Sequence, residues 1–576
     1  MSPYSQGLCF SEKEDGTYAV TGIGYCEDLE LRIPPTTPEG GRVTEIAEDA
    51  FHSQEDDFFT DEGFCFLSVI IPDGVTSIGD NAFMGCTSLL SVTIPDSVTS
   101  IGEFAFTDCS SLTSINIPEG VTEIRENTFG GCCGLTSITL PGGLIYIGLE
   151  AFSDCTRLTS LVIPEGVTSI DKRAFENDTH LTSISLPDSL ISLGNGAFSG
   201  CTSLTSVTIP RGVTEIGEPG QFGRSGLQAF SGCSRLTSIE VDTDNPTYYS
   251  QNNCVIERNT KRLIIGLATS RIPEDVVSIG DYAFEGCVGL TTADVPRGVT
   301  EIGHRAFFAC TNLASVTIPN SVTHIGDQAF FECKSLTSVT IPDSVTSLGV
   351  SSFYYCSALA SVILSGRITT IGQNTFAHCE SLTSISIPDG VTTIGRDAFE
   401  NCPCLTSVTL PDSVTTIDDH AFALCKSLAS ITLPNAIKEI GENAFFGCSG
   451  LTSVTIPDSV TTIHQGAFWY CTGLRSVSIP NSVTRIETAT FHSCTSLTVV
   501  HIPNSVRSIH RLAFLGCTGL TSVVIPDGVT TMGDWVFKNC PNLTIYCEHS
   551  ARPQKWDADW NVSDCPVVWN YKNNKS

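Results

Sequence analysis

The sequence has no apolar run near the ~18 residues that a membrane-spanning helix needs, so no such span is expected. It opens Met1-Ser2-Pro3-Tyr4-Ser5-Gln6-Gly7, without the basic start and apolar stretch of a signal peptide. Read alone, that start suggests a soluble, cytoplasmic chain. No P-loop, G-x-G-x-x-G, H-E-x-x-H, EF-hand loop or nucleophile elbow occurs. The usual phosphate, dinucleotide, metallohydrolase and acyl-transfer sites are thereby missing, and a non-catalytic chain without cofactors is the expectation. No C-x₂-C pair occurs either, which removes the usual structural zinc site. Basic residues are scarce: 30 Lys and Arg face 62 Asp and Glu, for a net charge of −32. Such a field repels nucleic acid and anionic lipid. It remains compatible with basic ligands and divalent cations, and equally with plain solubility of a large exposed surface.

What the sequence does have is repetition. Phe83, Phe106, Phe129, Phe152, Phe175 and Phe198 are each 23 residues apart, and the same spacing runs from Phe284 to Phe537. Phe51 and Phe230 hold the same place beside insertions. With one atypical unit near 240–272, this gives about 21 coils. Within a unit, Leu112, Ile115 and Ile117 alternate with polar neighbours, which is the period of a strand with one buried face. Pro118 cannot donate to a ladder and ends that strand. Glu119-Gly120 has turn chemistry, and Val121 to Ile124 reads as a second short extended piece. The stretch from Gly102 to Phe106 suits a short helical or 3₁₀ turn that drops Phe into the core. One coil cannot bury its apolar side alone, so neighbours must stack. In-register strands sit ~4.8 Å apart, which makes the stack elongated.

The run from Leu89 through Pro95, Gly102 and Phe106 to Cys109 resembles the BspA-like (Treponema pallidum-type) leucine-rich repeat family over roughly residues 43–547. The resemblance implies a repeat solenoid, α/β to mainly β. It would be a right-handed curved stack with a parallel β-sheet face and short helical or 3₁₀ turns. It also implies adhesion or protein–protein recognition at a cell surface, although this chain shows no signal or wall anchor. The expected division is an N-terminal cap over 1–42, repeats over 43–239 and an atypical repeat with a projecting β-hairpin over 240–272. Repeats follow over 273–547, and a C-terminal cap over 548–576. Trp556, Trp560 and Trp569 are expected to cover the last coil, with a carbohydrate-binding patch as the sharper alternative.

Three insertions break the register: Ser53 to Gly63, Glu218 to Gly226, and Val241 to Arg271. In the last, Cys254 to Ile265 reads as two strands around a polar turn. Insertions on one face of a solenoid often mark its binding side, and otherwise are neutral loops.

Of 26 cysteines, 18 stand three residues after a marker Phe, from Cys86 to Cys540; Asp178 takes that slot after Phe175. Parallel cysteines ~4.8 Å apart are poorly placed for disulfides, so a buried thiol column is expected. Cys9 with Cys26, or Cys547 with Cys565, could staple the ends of an exported chain. His464, Glu487 and His510 occupy a slot usually held by Gly and should form a column, either a metal or pH-sensitive site or simply solvated turn residues.

Strand positions facing away from the core carry paired hydroxyls: Ser338/Thr340, Ser384/Ser386, Ser407/Thr409, Ser430/Thr432 and Ser453/Thr455. This face, with Tyr248 and Tyr249 of the third insertion, is the expected partner-binding surface of a monomer, for a protein or glycan. The same hydroxyls also merely suit exposed strands. A structural spacer is the main rival, and an ice- or mineral-templating face is a second.

Overall fold

In the coil that starts at Leu112, Ser114–Asn116 forms a three-residue strand with Ile115 turned inward, and Ile117 is buried beside it. The Pro118 carbonyl then accepts from the Val121 amide (3.0 Å), closing a turn. Glu123–Ile124 forms a second, two-residue strand with Ile124 inward. Both strands pair in parallel with their counterparts 23 residues on: Ser114 with Ser137, and Glu123 with Tyr146. Leu112, Val121, Ile124, Phe129 and Cys132 meet inside the coil, each at most 1% exposed.

The stretch around the marker Phe is not helical; among the described residues there is no helix. Phe104 (φ +57°) and Asp108 (φ +59°) flank Phe106 in the left-handed region, and the pattern recurs coil after coil. Left-handed residues four apart stop an α-helix before one turn is complete. The amides of Phe104, Phe106 and Asp108 instead donate to the carbonyls of Glu126, Thr128 and Gly130 in the next coil, at 2.8–2.9 Å. Thr107 and Cys109 donate back within the coil, to Phe104 and Phe106. Each coil is thus laced to its neighbour along two strands and one turn edge, which accounts for backbone groups that burial would otherwise strand.

The structure, a computed structural model, describes residues 4–52, 66–217 and 228–572. The insertions at 53–63 and 218–226 fall outside the described residues. The chain turns about 23 times, slightly more than the Phe count suggests. The reason is that terminal segments add strands of their own: Tyr18–Gly22 pairs in parallel with Val43–Ile46, and Thr544–Cys547 with Val567–Val568. The coils divide into two compact units, residues 1–276 with 282–290, and residues 277–281 with 291–576. In unit 1 the Phe rings stack from Phe51 to Phe230 at centroid spacings of 5.1–5.6 Å. In unit 2 they stack from Phe307 to Phe537 at 5.2–5.7 Å. Trp560 meets Phe537 edge-on (6.3 Å), and the Trp556 indole donates to the Val529 carbonyl (3.1 Å). Among the described residues no helix is long and apolar enough to cross a membrane.

Candidate interaction surface

The hydroxyl face belongs to the three-residue strands of unit 2. Ser338 and Thr340 are exposed on either side of buried Val339, and the same alternation holds at Ser384–Ser386, Ser407–Thr409, Ser430–Thr432 and Ser453–Thr455. The register sets Ser384 beside Ser407 and Ser386 beside Thr409. It sets Ser430 beside Ser453 and Thr432 beside Thr455, and continues to Ser476 and Ser478. The Ser338/Thr340 pair sits apart from these, because its partners are Ser361 and the 60%-exposed Ile363. From Ser315 to Ser478 no outward position of these strands is charged, on a chain of net charge −32.

A second column of hydroxyls lies beside them. The residue before each strand is often Thr, and its hydroxyl donates to a carbonyl one coil back. Thr406 donates to Thr383 (3.0 Å), Thr452 to Ala429 (3.2 Å) and Thr498 to Arg475 (3.2 Å). The flanking threonines thus add side-chain bonds to the backbone ladders between coils, while strand alternation leaves the strand hydroxyls facing solvent.

The two tyrosines in unit 1 separate from this face. Tyr248 is buried, with its hydroxyl donating to the Thr214 carbonyl (3.3 Å), so it offers no surface; its strand turns it into the core. Tyr249 is half-buried and donates to Asp275 Oδ2 (2.7 Å). Lys261 Nζ donates to the same carboxylate (3.1 Å) and lies 4.6 Å from the Tyr249 ring centre. Burial and then Asp275 push the Tyr249 phenol up; Tyr249 and then Lys261 hold Asp275 below the usual carboxylate range. The expected hairpin is part of a three-stranded antiparallel meander, Tyr248–Gln251, Cys254–Glu257 and Arg262–Gly266. Val255, Ile256, Leu263 and Ile265 are fully buried, so its strands line the core and only the tip around Asn259 and Thr260 faces out.

One surface feature escaped the sequence reading. On the turn edge of unit 2, the residue after the marker Phe is repeatedly aromatic and half-buried. Phe308 stacks on Phe331 (4.7 Å) and Phe331 on Tyr354 (4.9 Å); Tyr355 stacks on His378 (4.2 Å). The Arg305 guanidinium lies 3.9 Å from the Phe308 ring centre. Phe446, Trp469, Tyr470 and His492 form a second cluster on that edge. The signal was present as doubled aromatics such as Phe330-Phe331 and Phe353-Tyr354-Tyr355, but the 23-residue register drew attention to the inward ring.

Other sequence candidates resolve into structural pairs. His464 meets Glu439 (3.4 Å) and His510 meets Glu487 (3.2 Å), so the expected single column is two separate pairs. Among the described residues no group of three or more His, Cys, Asp or Glu is placed to hold a metal. Trp556 and Trp560 are buried, which removes them from any sugar-binding patch. Cys9, Cys26, Cys547 and Cys565 are free thiols. Cys565 instead donates to the Cys540 carbonyl (3.4 Å), extending the thiol column into the C-terminal segment. Burial pushes ladder thiols far up, Cys86 to about 12, which makes them poor nucleophiles. In unit 1 an acidic hollow is lined by Glu103, Glu123, Glu126 and Asp171 around Tyr146, whose hydroxyl donates to Asp171 (2.7 Å). Burial and then the neighbouring carboxylates raise Glu126.

The BspA type leucine rich repeat region model matches residues 44–182, 255–324, 302–429 and 419–544. Among solved structures, a leucine-rich repeat protein from Bacteroides ovatus is 30% identical, covering 82% of this chain and 93% of its own, with a TM-score of 0.38. A leucine rich cell surface protein from Faecalibacterium prausnitzii is 29% identical over 83% of this chain and 95% of its own, also at 0.38. The Treponema pallidum leucine rich repeat protein is 22% identical over 46% of this chain and 86% of its own, at 0.21. No curated protein matches.

Proposed function

The chain belongs to the BspA-type leucine-rich repeat family, and from that premise we propose that it is a non-catalytic recognition protein acting at a cell surface. Leucine-rich repeat proteins are in general interaction or adhesion scaffolds. The observation that carries the reading is the uncharged hydroxyl face of unit 2, in register over Ser384–Thr409 and again over Ser430–Ser478, on a strongly acidic chain. Contact there relies on hydrogen bonds and shape, so the matching partner is an uncharged polar surface, a protein or a neutral glycan. The hairpin tip at Asn259 and Thr260 is a second, smaller contact.

The test uses the full chain on an array of neutral glycans and immobilised extracellular proteins, beside a variant carrying Ser407→Glu, Thr409→Glu, Ser430→Glu and Thr432→Glu. Binding is expected to fall at least ~10-fold with an unchanged Tm, since docking an uncharged surface there would bury carboxylates that have no partner. Equal binding by both proteins would move the contact elsewhere. Absence of any binding, together with tolerance of coil deletion, would favour a spacer that only sets length.

A further inference from the structure

The thiol column follows one rule in unit 1. Where regular 23-residue coils follow one another, the ladder cysteine donates to the carbonyl of the marker Phe in the preceding coil: Cys109 to Phe83 (3.2 Å), Cys132 to Phe106 (3.2 Å), Cys155 to Phe129 (3.3 Å) and Cys201 to Phe175 (3.2 Å). The donor lies 26 residues after the acceptor every time. The carbonyl left over by this series is that of Phe152, and the residue 26 further on is Asp178.

Asp178 is fully buried, and neither carboxyl oxygen has a hydrogen-bond partner. A carboxylate only accepts hydrogen bonds, so it cannot bond the carbonyl that its register presents. A carboxylic acid carries one O–H and can donate as the thiol does. We propose that Asp178 is held as the neutral acid, donating to the Phe152 carbonyl in place of the missing thiol, and that its ionisation loosens the coils between Phe152 and Cys201.

The surroundings favour the neutral form. Stacked on either side are the uncharged thiols of Cys155 and Cys201. Asp154, in the coil before, adds a like charge. Arg173, in the same coil, is engaged by Glu150 (3.3 Å) and Glu176 (3.6 Å). Only the Cys155 amide favours the carboxylate, and it already donates to Phe152 (3.3 Å). Burial outweighs it, and the group sits well above the usual carboxylate range. A folded-state value raised above the unfolded one gives stability that is complete below the ordinary carboxyl range. That stability is lost as pH rises towards the folded value.

The experiment is hydrogen exchange of the full chain on peptides spanning 152–204, corrected for intrinsic rates, between about pH 5 and about pH 8. Asp178→Cys restores the regular ladder and Asp178→Asn removes the charge. The ratio of this segment's opening in the unaltered protein to that in Asp178→Cys is expected to rise at least ~10-fold between about pH 5 and about pH 8. Asp178→Asn should show no such pH slope, even if it opens more at every pH. The infrared carbonyl band of a protonated carboxyl should be present at neutral pH and vanish in both variants. Parallel pH profiles for the unaltered protein and Asp178→Cys, or absence of that band, would overturn the proposal.

Discussion

Unit 2 keeps its interior almost without variation, and unit 1 does not. From Cys333 to Cys540 in unit 2 every coil places a thiol on a Phe carbonyl, at 3.1–3.4 Å. Unit 1 breaks the same column at Asp178, replaces a regular coil with the meander of Tyr248–Gly266, and after it turns the Cys287 thiol to the Gly266 carbonyl (3.4 Å). The outer columns of unit 2, by contrast, change residue freely: Thr340 is followed by Ile363, then Ser386. The inward positions are held by close packing and by a required donor. The outward ones are held by neither, and so are where a partner's demands can be recorded.

The largest effect that sharpens this contrast is loss of an interior ring. Phe422→Ala in unit 2 removes a side chain stacked on both sides and should cost about 3–5 kcal/mol in urea unfolding. A cost near zero would mean that the stack is not the core. Next comes moving unit 1's irregularity into unit 2. Cys425→Asp should destabilise by about 2–4 kcal/mol at about pH 8, and by less at about pH 5, because only the neutral acid can replace the Cys425 donor to Phe399. A pH-independent cost would separate the two columns chemically. Cys425→Ala removes one hydrogen bond and should cost about 1–2 kcal/mol. In native protein, exposed Cys9 and Cys404 should react with a thiol reagent before any ladder cysteine; early modification of Cys425 would contradict its burial. Smallest is Thr409→Val on the outer face, within about 0.5 kcal/mol in stability.

The period, both strands, the Pro turn and the thiol column were legible, because each follows from a residue type with one strong preference. Pro118 cannot pair, Phe129 must be buried, and Ile115 alternates with polar neighbours. The turn edge was not legible. Its shape depends on left-handed backbone at residues such as Phe104, Leu424 and Trp535, whose side chains give no hint of it. These positions are imposed by the amide bonds to the next coil, a tertiary demand that local preference cannot show. For the surface, the outward Ser and Thr followed from strand alternation, whereas Tyr248 did not. In an irregular insertion no period says which of two adjacent tyrosines turns inward. The aromatic edge was missed for a different reason, since its rings sit directly beside the residue that sets the register.

The turn-edge bonds all run one way, from each coil's amides to the carbonyls of the coil after it. A pile of such coils has chemically opposite ends, like a row of plugs and sockets. Whatever follows the last coil must bring sockets. Trp535 and Asn539 find them in the Asp559 carbonyl (3.0 Å) and the Ser563 hydroxyl (2.9 Å). A chain cut short at an interior coil would bare a row of N–H groups with nothing to accept them, an edge suited to anions or to the open side of another broken chain.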